Sequence, residues 1–368
     1  MAEDLSTIHR RVLTQSEATY GTDAIDLANN LAVDRVYHSL DELAITGNVN
    51  LKERPVTRGS AARVEHVMLR ENMSVSASGA ITAAEAAGGA GTEAPLFRDF
   101  LLAMGLSETI VASTSATYAR STTWTSGLSM YDYMRHLDDY LWRLVVATGV
   151  RGNGTWSLEA GEIGTWAFEG QSNNFDEDSA TTADPHMYSE DLAFFDAAGL
   201  IDLDKEGSAI VYTGAEIYDE TAVMCVESMT LTVDAEDFAI QSMTGDLGWS
   251  VVPRRRTRAT PVIEEVVLLD DGGVKLGIVL DDSGTDFAKA IRMALDANAV
   301  SASAVLTDGT GSGGSTLTMT YPKVQFDWVA LRDDSGLATW EIPAFANGDY
   351  GASILGDNEL SWAWSVTP

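Results

Sequence analysis

The stretch RGNGTWSLEAGEIGTWAFEGQS, residues 151–172, sets Glu159, Glu162 and Glu169 among glycines and two tryptophans. Carboxylates beside indole rings are the raw material of glycoside hydrolysis, which needs two acids about 5 to 10 Å apart across a cleft and one raised pKa. The same residues also alternate. Trp156 and Leu158 share one side before a turn, Trp166 and Phe168 share it after, and Glu159 and Glu162 sit at or near the tip. Apolar cross-strand pairs on one face describe a structural hairpin. Two readings follow: a secreted β-sandwich glycan-binding or glycosidase module, or a hairpin in a building block.

Other chemistry-bearing runs fail on context. Gly309, Gly311 and Gly314 match G-x-G-x-x-G, but STLTMTY follows, and an alternating β-branched run supplies no helix N-terminus for a pyrophosphate. No Gly-Lys dipeptide is present, so there is no Walker A loop. Asp281, Asp282 and Asp286 suggest a calcium loop, yet Arg292 stands where the bidentate Glu belongs, and Ser283 or Thr285 reads better as a helix cap. FDEDS, 175–179, reads as a solvated acidic loop. The five histidines lack metal-binding spacing, and with Cys225 as the one cysteine a zinc site is not expected. Cys225, in AVMCVES, is expected to be a small buried hydrophobe.

The elements that must carry these residues are mostly strands. Residues 1–33 read as an N-terminal arm, with IHRRVL offering a short helical face. Alternation in LAITGNVNLKERP and ARVEHVMLRENMSVSAS predicts two strands joined by the loop KERPVTRGSA. A helix follows, capped by Thr92 or Glu93, with Pro95 in its first turn, the stripe Phe97, Phe100, Leu101 and Met104, and Gly105 at its end. Strands then run to an acidic loop at 173–186. The second half repeats the theme of strands, one helix and strands, with TDFAKAIRMALDAN as its helix. The two helix starts, Pro95 and Asp286, lie 191 residues apart. This spacing divides the chain into residues 34–190 and 191–368, with the residue identities themselves not aligning.

Composition narrows the function classes. With 368 residues, 45% apolar content, 32 Gly and 8 Pro, the chain can bury a core and favours strands and turns. Fifty-five acids against 23 basic residues, five of them Lys, give a net charge of -32. Nucleic-acid affinity needs Lys and Arg to displace counterions, so ordinary DNA or RNA binding is disfavoured. A saline habitat and a surface that must not hold a polyanion both account for the acidity. Against this background Arg254, Arg255, Arg256 and Arg258 are expected to make salt bridges between subunits. The N-terminus has no continuous apolar core of an export signal, and no stretch approaches 18 apolar residues, so a soluble chain without membrane anchoring is expected.

Several stretches, in order, resemble the major tail tube proteins of long-tailed phages and related archaeal tailed viruses. They are SEATYGTDA, APLFRDFLLAMGLSET, TGVRGNGTWSLEAGEIGTWAFEG, DLGWSVVPRR and YPKVQFDWVALRDDSGLATWEIP. The third is the nearest, since these proteins carry a similar R-G-N or R-G-x run, an S-L-x-A-G-E-I turn and a strand ending F-x-G. The resemblance implies a mainly β fold with short helices (α+β), a sandwich or half-barrel domain duplicated in tandem. It would close into a β-barrel ring on oligomerisation, which removes the open edges of each sheet. It implies a virion protein assembled in the host cytoplasm, with no catalysis and no cofactor. Rings, as trimers with pseudo-sixfold symmetry or as hexamers, would stack into a tube that meets tail terminator, tail-tip and tape measure proteins. DNA would cross the bore without specific binding. Lys52, Arg54, Arg58 and Arg63, with the N-terminal arm, are then the candidates for contacts between rings, and Glu159 and Glu162 for the channel or a ring contact.

Overall fold

The structure, a computed structural model, describes residues 5–22, 24–25, 32–33, 35–37, 40–53, 66–84, 94–112, 114–121, 126–136, 141–173, 187–189, 211–212, 222–233, 235–255, 263–281, 300–308, 315–327, 329–334, 337–347 and 359–366. The second helix expected, the loop 309–314 and the acidic loop at 174–186 lie outside them.

Alternating sequence becomes strand throughout. The first elements are β1 (Leu5–Ser16), β2 (Ala32–Val33), β3 (Arg35–Tyr37), β4 (Glu42–Glu53), β5 (His66–Ala80) and α1 (Arg98–Ala103). Next come β6 (Leu106–Val111), β7 (Ser115–Arg120), β8 (Leu128–His136), β9 (Leu141–Glu159), β10 (Thr165–Gln171), β11 (Met187–Ser189) and β12 (Val211–Tyr212). Then follow β13 (Cys225–Val233), β14 (Glu236–Asp246), β15 (Trp249–Arg255), β16 (Ile263–Asp270) and β17 (Val274–Asp281). The last are β18 (Val300–Thr307), β19 (Ser315–Tyr321), β20 (Val324–Phe326), β21 (Ala330–Asp334), β22 (Leu337–Ala346) and β23 (Ser361–Val366).

One antiparallel run reads β4–β5–β10–β9–β14–β17–β22, with β20 and β21 sharing the place beyond β22. A second run reads β14–β13–β18–β19–β23–β7–β6. β14 belongs to both: residues up to Ala239 pair with β13, and those from Ile240 pair with β17, across a register shift between Ile240 and Ser242. A bulge of this kind bends a strand, and here it turns one sheet into the other. A third group, β3–β1–β8–β9–β11, branches from the first half of β9.

The two runs face each other across an aromatic core. Trp156 on β9 lies edge-on to Trp362 on β23 with centroids 4.9 Å apart, and is stacked with Tyr321 of β19 at 6.2 Å. Trp166 on β10 stacks on Phe97 at 5.1 Å, and Trp364 meets Tyr118 edge-on at 5.3 Å. Edge-on and offset pairs contribute about 0.5–1.5 kcal/mol each beyond their buried area. The apolar cluster is continuous through residues from both halves of the sequence.

Three local expectations are corrected. IHRRVL is strand, because β1 pairs with β8 and both Val12 and Leu13 are buried there. Residues 5–16 are thus a paired strand that places Val12 and Leu13 in the core, and not a helical arm. The helix ends as expected at Gly105, whose φ is +79°, but it begins at Arg98 with Phe97 as an N-cap that makes no side-chain bond. Pro95 is bridged to Ala84, and Thr92 and Glu93 lie outside the described residues. Lys52 is in β4 and not in the loop that follows.

SEATYGTDA has a structural reason. Glu17, 1% exposed, accepts hydrogen bonds from the Gly21 and Gly149 N–H groups at 2.6 and 2.7 Å and from the Ser129 hydroxyl at 2.8 Å. Tyr20 donates to the Gly149 carbonyl and accepts from the Val266 N–H, while the Arg151 guanidinium lies 3.9 Å over its ring. Burial pushes the Tyr20 phenol far above its usual range. Gly149 sits at φ +60° in the register shift of β9 against β8, between the pairs Ala147↔Met130 and Val150↔Leu128, and a side chain there would overlap Asn173. Glu17→Gln is expected to cost about 1–3 kcal/mol, because one buried N–H would then face an amide donor. A urea midpoint lowered without change in slope checks it.

Candidate functional site

The wet face of the first run carries a trough built from neighbouring strands. Alternation sends Met73, Val75 and Ala77 of β5 to the core and Ser74, Ser76 and Ser78 outward. Register carries this face across the sheet. Ser78 lies opposite Ala167 on β10, which lies opposite Thr155 on β9, then Asp246 on β14, Lys275 on β17 and Phe345 on β22. The neighbouring row is Ala80, Thr165, Ser157, Thr244, Gly277 and Pro343. Small hydroxyl side chains dominate, and the face is hollowed into a trough of about 670 Å³ lined by Ser78, Thr155, Ser157, Thr244, Asp246 and Lys275.

The face is acidic. Glu42, Glu159, Glu169, Asp246 and Glu341 occupy outward positions, against Lys275 within the sheet and Arg332 at its edge. Asp246 is pinned by the Asn153 amide and the Gly248 N–H, each at 2.7 Å, and Glu341 is paired with Arg332. Glu42, Glu159 and Glu169 are exposed.

The candidates from sequence divide accordingly. Glu159 ends β9 opposite Ser242 and belongs to the wet face. Glu162 is exposed in the turn beyond it, where its N–H bonds to the Glu159 carbonyl at 3.0 Å. Trp156 and Trp166 face each other across β9 and β10 but on the core side, 3% and 4% exposed, so neither indole offers a platform for a sugar ring. Arg254 is exposed on β15 opposite Glu265. Of Lys52 and Arg255 only the strand backbone is described, and Arg54, Arg58, Arg63, Arg256 and Arg258 lie outside the described residues.

Cys225 is exposed, a correction of the buried expectation. Its neighbours Met224 and Val226 take the inward places, so alternation turns Cys225 out. The described residues hold no cluster of three or more His, Cys, Asp or Glu able to bind a metal ion.

Two buried arginines brace the frame, and sequence reasoning missed both roles. Arg151, 2% exposed, donates to Glu265 at 2.9 Å and to the Val266 and Ser126 carbonyls. Arg120 is held by Glu359 and by Asp270 at 2.8 Å, and lies 3.9 Å over Trp249. Burial alone would raise the Asp270 pKa, but hydrogen bonds from Arg120 and the Gly273 N–H outweigh it and hold the carboxyl below its ordinary range. Both arginines tie the first half of the chain to the second. The only legible signal was their Arg identity next to glycines and small residues.

No protein-family model matches the chain, and no curated protein matches it. Among the described residues β4 is paired only to the strand β5, and β21 only to the strand β22.

Proposed function

We propose that the protein is a virion structural subunit, a major tail tube protein whose copies join edge to edge into rings that stack as a tube. The observation that carries this reading is the continuous sheet with a dry core face, a hollowed acidic wet face and, among the described residues, an end strand at each side that pairs with one neighbouring strand only. An open edge is a template for another strand, and closure of the sheet into a barrel removes it. With the wet face inward, the barrel becomes a bore.

The chemistry of that face suits passage of a polyanion. DNA carries one negative charge per about 1.7 Å, and a basic wall would hold it at many points. Its carboxylates repel phosphate, and its hydroxyls, with Lys275 the one cation among the described residues of the trough, offer uncharged contacts and little counterion release. The trimeric ring is favoured over the hexamer by the order of strands. The sets β4, β5, β9, β10 and β14, β17, β20/β21, β22 both lie in the sheet as first, second, fourth, third. Two such units per chain make three copies pseudo-sixfold, and support tandem duplication within 34–190 and 191–368.

β4 and β5 continue beyond β10 as a two-stranded ribbon, from Val49 to Glu53 and His66 to Arg70, the natural projection for contact with the next ring. No catalytic or cofactor role is assigned. Negative-stain microscopy of the purified protein is expected to show rings or tubes with a central channel; uniformly monomeric particles at every concentration and salt would count against the reading.

A further inference from the structure

We propose that Ala330–Asp334 of one copy pairs antiparallel with Glu42–Thr46 of a second, repeating between molecules the junction that β9 and β14 make inside one; this rests on the tube reading above. The two strand sets share one order, so each has an equivalent outer strand. In the first set the outer strand β9 is already joined, to β14 of the second set. In the second set the equivalent strand, β21, has no neighbour beyond it among the described residues, and neither has β4, the equivalent of β14. A chain that uses this junction once and exposes both halves of it again is built to repeat it with another copy.

The register follows from the sheet itself. β10 starts pairing with β5 at Thr165↔Ala80, and β22 with β17 at Thr339↔Asp281, so these positions correspond. Two residues inward Ser78 corresponds to Val279, and their partners Glu42 and Ser242 correspond in turn. On the other side Ser157, opposite Thr165, corresponds to Arg332, opposite Thr339. The internal junction pairs Ser157↔Thr244, Trp156↔Gly245 and Thr155↔Asp246. Carried over, it gives Arg332↔Ala44, Leu331↔Ile45 and Ala330↔Thr46 between copies.

Side chains fit this register without having been used to derive it. Leu331 is on the core side of β21, opposite Trp340, yet it is 56% exposed, the most exposed large hydrophobic described. It occupies the place of Trp156, which is buried. Its proposed partner Ile45 is on the core side of β4, opposite the buried Val75, and is itself half-buried at the edge. Joining the edges covers both. Arg332, on the wet side, would lie diagonal to Glu42, within the reach of long side chains across a strand pair.

Cross-linking in full-length Cys225→Ser protein tests the pairing. Leu331→Cys and Ile45→Cys proteins are mixed, assembled and oxidised with copper-phenanthroline. Covalent dimer is expected in about tenfold excess over a mixture of Leu331→Cys with Thr46→Cys, since Thr46 lies on the opposite face and its Cβ points away. The double variant Ile45→Cys with Leu331→Cys should yield a closed covalent ring. Leu331→Asp should abolish rings in the microscope and leave the thermal midpoint of the free subunit unchanged, because the residue is exposed there. Rings that form without the cross-link, or that survive Leu331→Asp, overturn this pairing and leave the tube reading standing. Absence of rings from the parent protein overturns both.

Discussion

Trp156→Ala is expected to lower folding stability by about 3–5 kcal/mol, the cost of emptying a buried large aromatic site. Trp156 joins the two layers: on β9 in the first run, it meets Trp362 and Tyr321 of the second. It also spans the two halves of the chain, since β9 pairs there with β14, and Gly245 opposite it has no side chain because a Cβ would overlap the indole. The ring therefore fills the space that a side chain at position 245 would need. Trp156→Phe should lose less, about 1–2 kcal/mol, as part of the volume and the edge-on contact survive. Urea denaturation followed by circular dichroism measures both. A loss below 1 kcal/mol for Trp156→Ala would mean that the layers are not held together at this point.

Reversing two acids of the wet face is expected to turn a non-binding surface into one that holds DNA. Glu159→Lys with Glu169→Lys changes two exposed side chains, so the fold should be unaffected. Each substitution replaces a negative charge with a positive one, and every copy in a ring carries both. Assembled variant should bind a labelled duplex at least about 100-fold more tightly than the parent in 50 mM salt, and lose most of that affinity by about 200 mM, because binding by counterion release falls steeply with salt. Fluorescence anisotropy reads the difference. If parent and variant bound DNA equally, or neither did at low salt, the wet face would not be the wall that DNA meets.

The hairpin of residues 151–172 shows how far the letters reach. Its alternation assigned Trp156, Leu158, Trp166 and Phe168 to one face, and all four are buried on that face. The same period put Ser74, Ser76 and Ser78 opposite Val75 and Ala77. Alternation is a local property of the strand, with side chains leaving opposite sides at every step, so it can be read without knowing any neighbour. Charge was equally legible. The sum -32 is independent of fold, but its placement is not.

Local signals failed where a distant partner decided the outcome. IHRRVL fits a helical face, yet β8 supplies a strand to pair with and the chain takes it. Cys225 lies in an apolar run, but Met224 and Val226 hold the inward positions and leave it outside. Glu17 and Tyr20 are far in sequence from Gly149, and their joint role depends on the segment after β1 meeting β9.

The sequence by itself determined that the chain is mainly β, that it is strongly acidic, and which residues of each strand share a side, because composition and a period of two need no long-range information. Only the tertiary structure decided that strands from both halves form one sheet, that Glu42, Glu159, Glu169, Asp246 and Glu341 lie on one face of it, and that β4 and β21 are its end strands among the described residues. The reason is physical: strand order and register are set by hydrogen bonds and core contacts between segments far apart in the chain, and no local pattern records which distant strand will supply them.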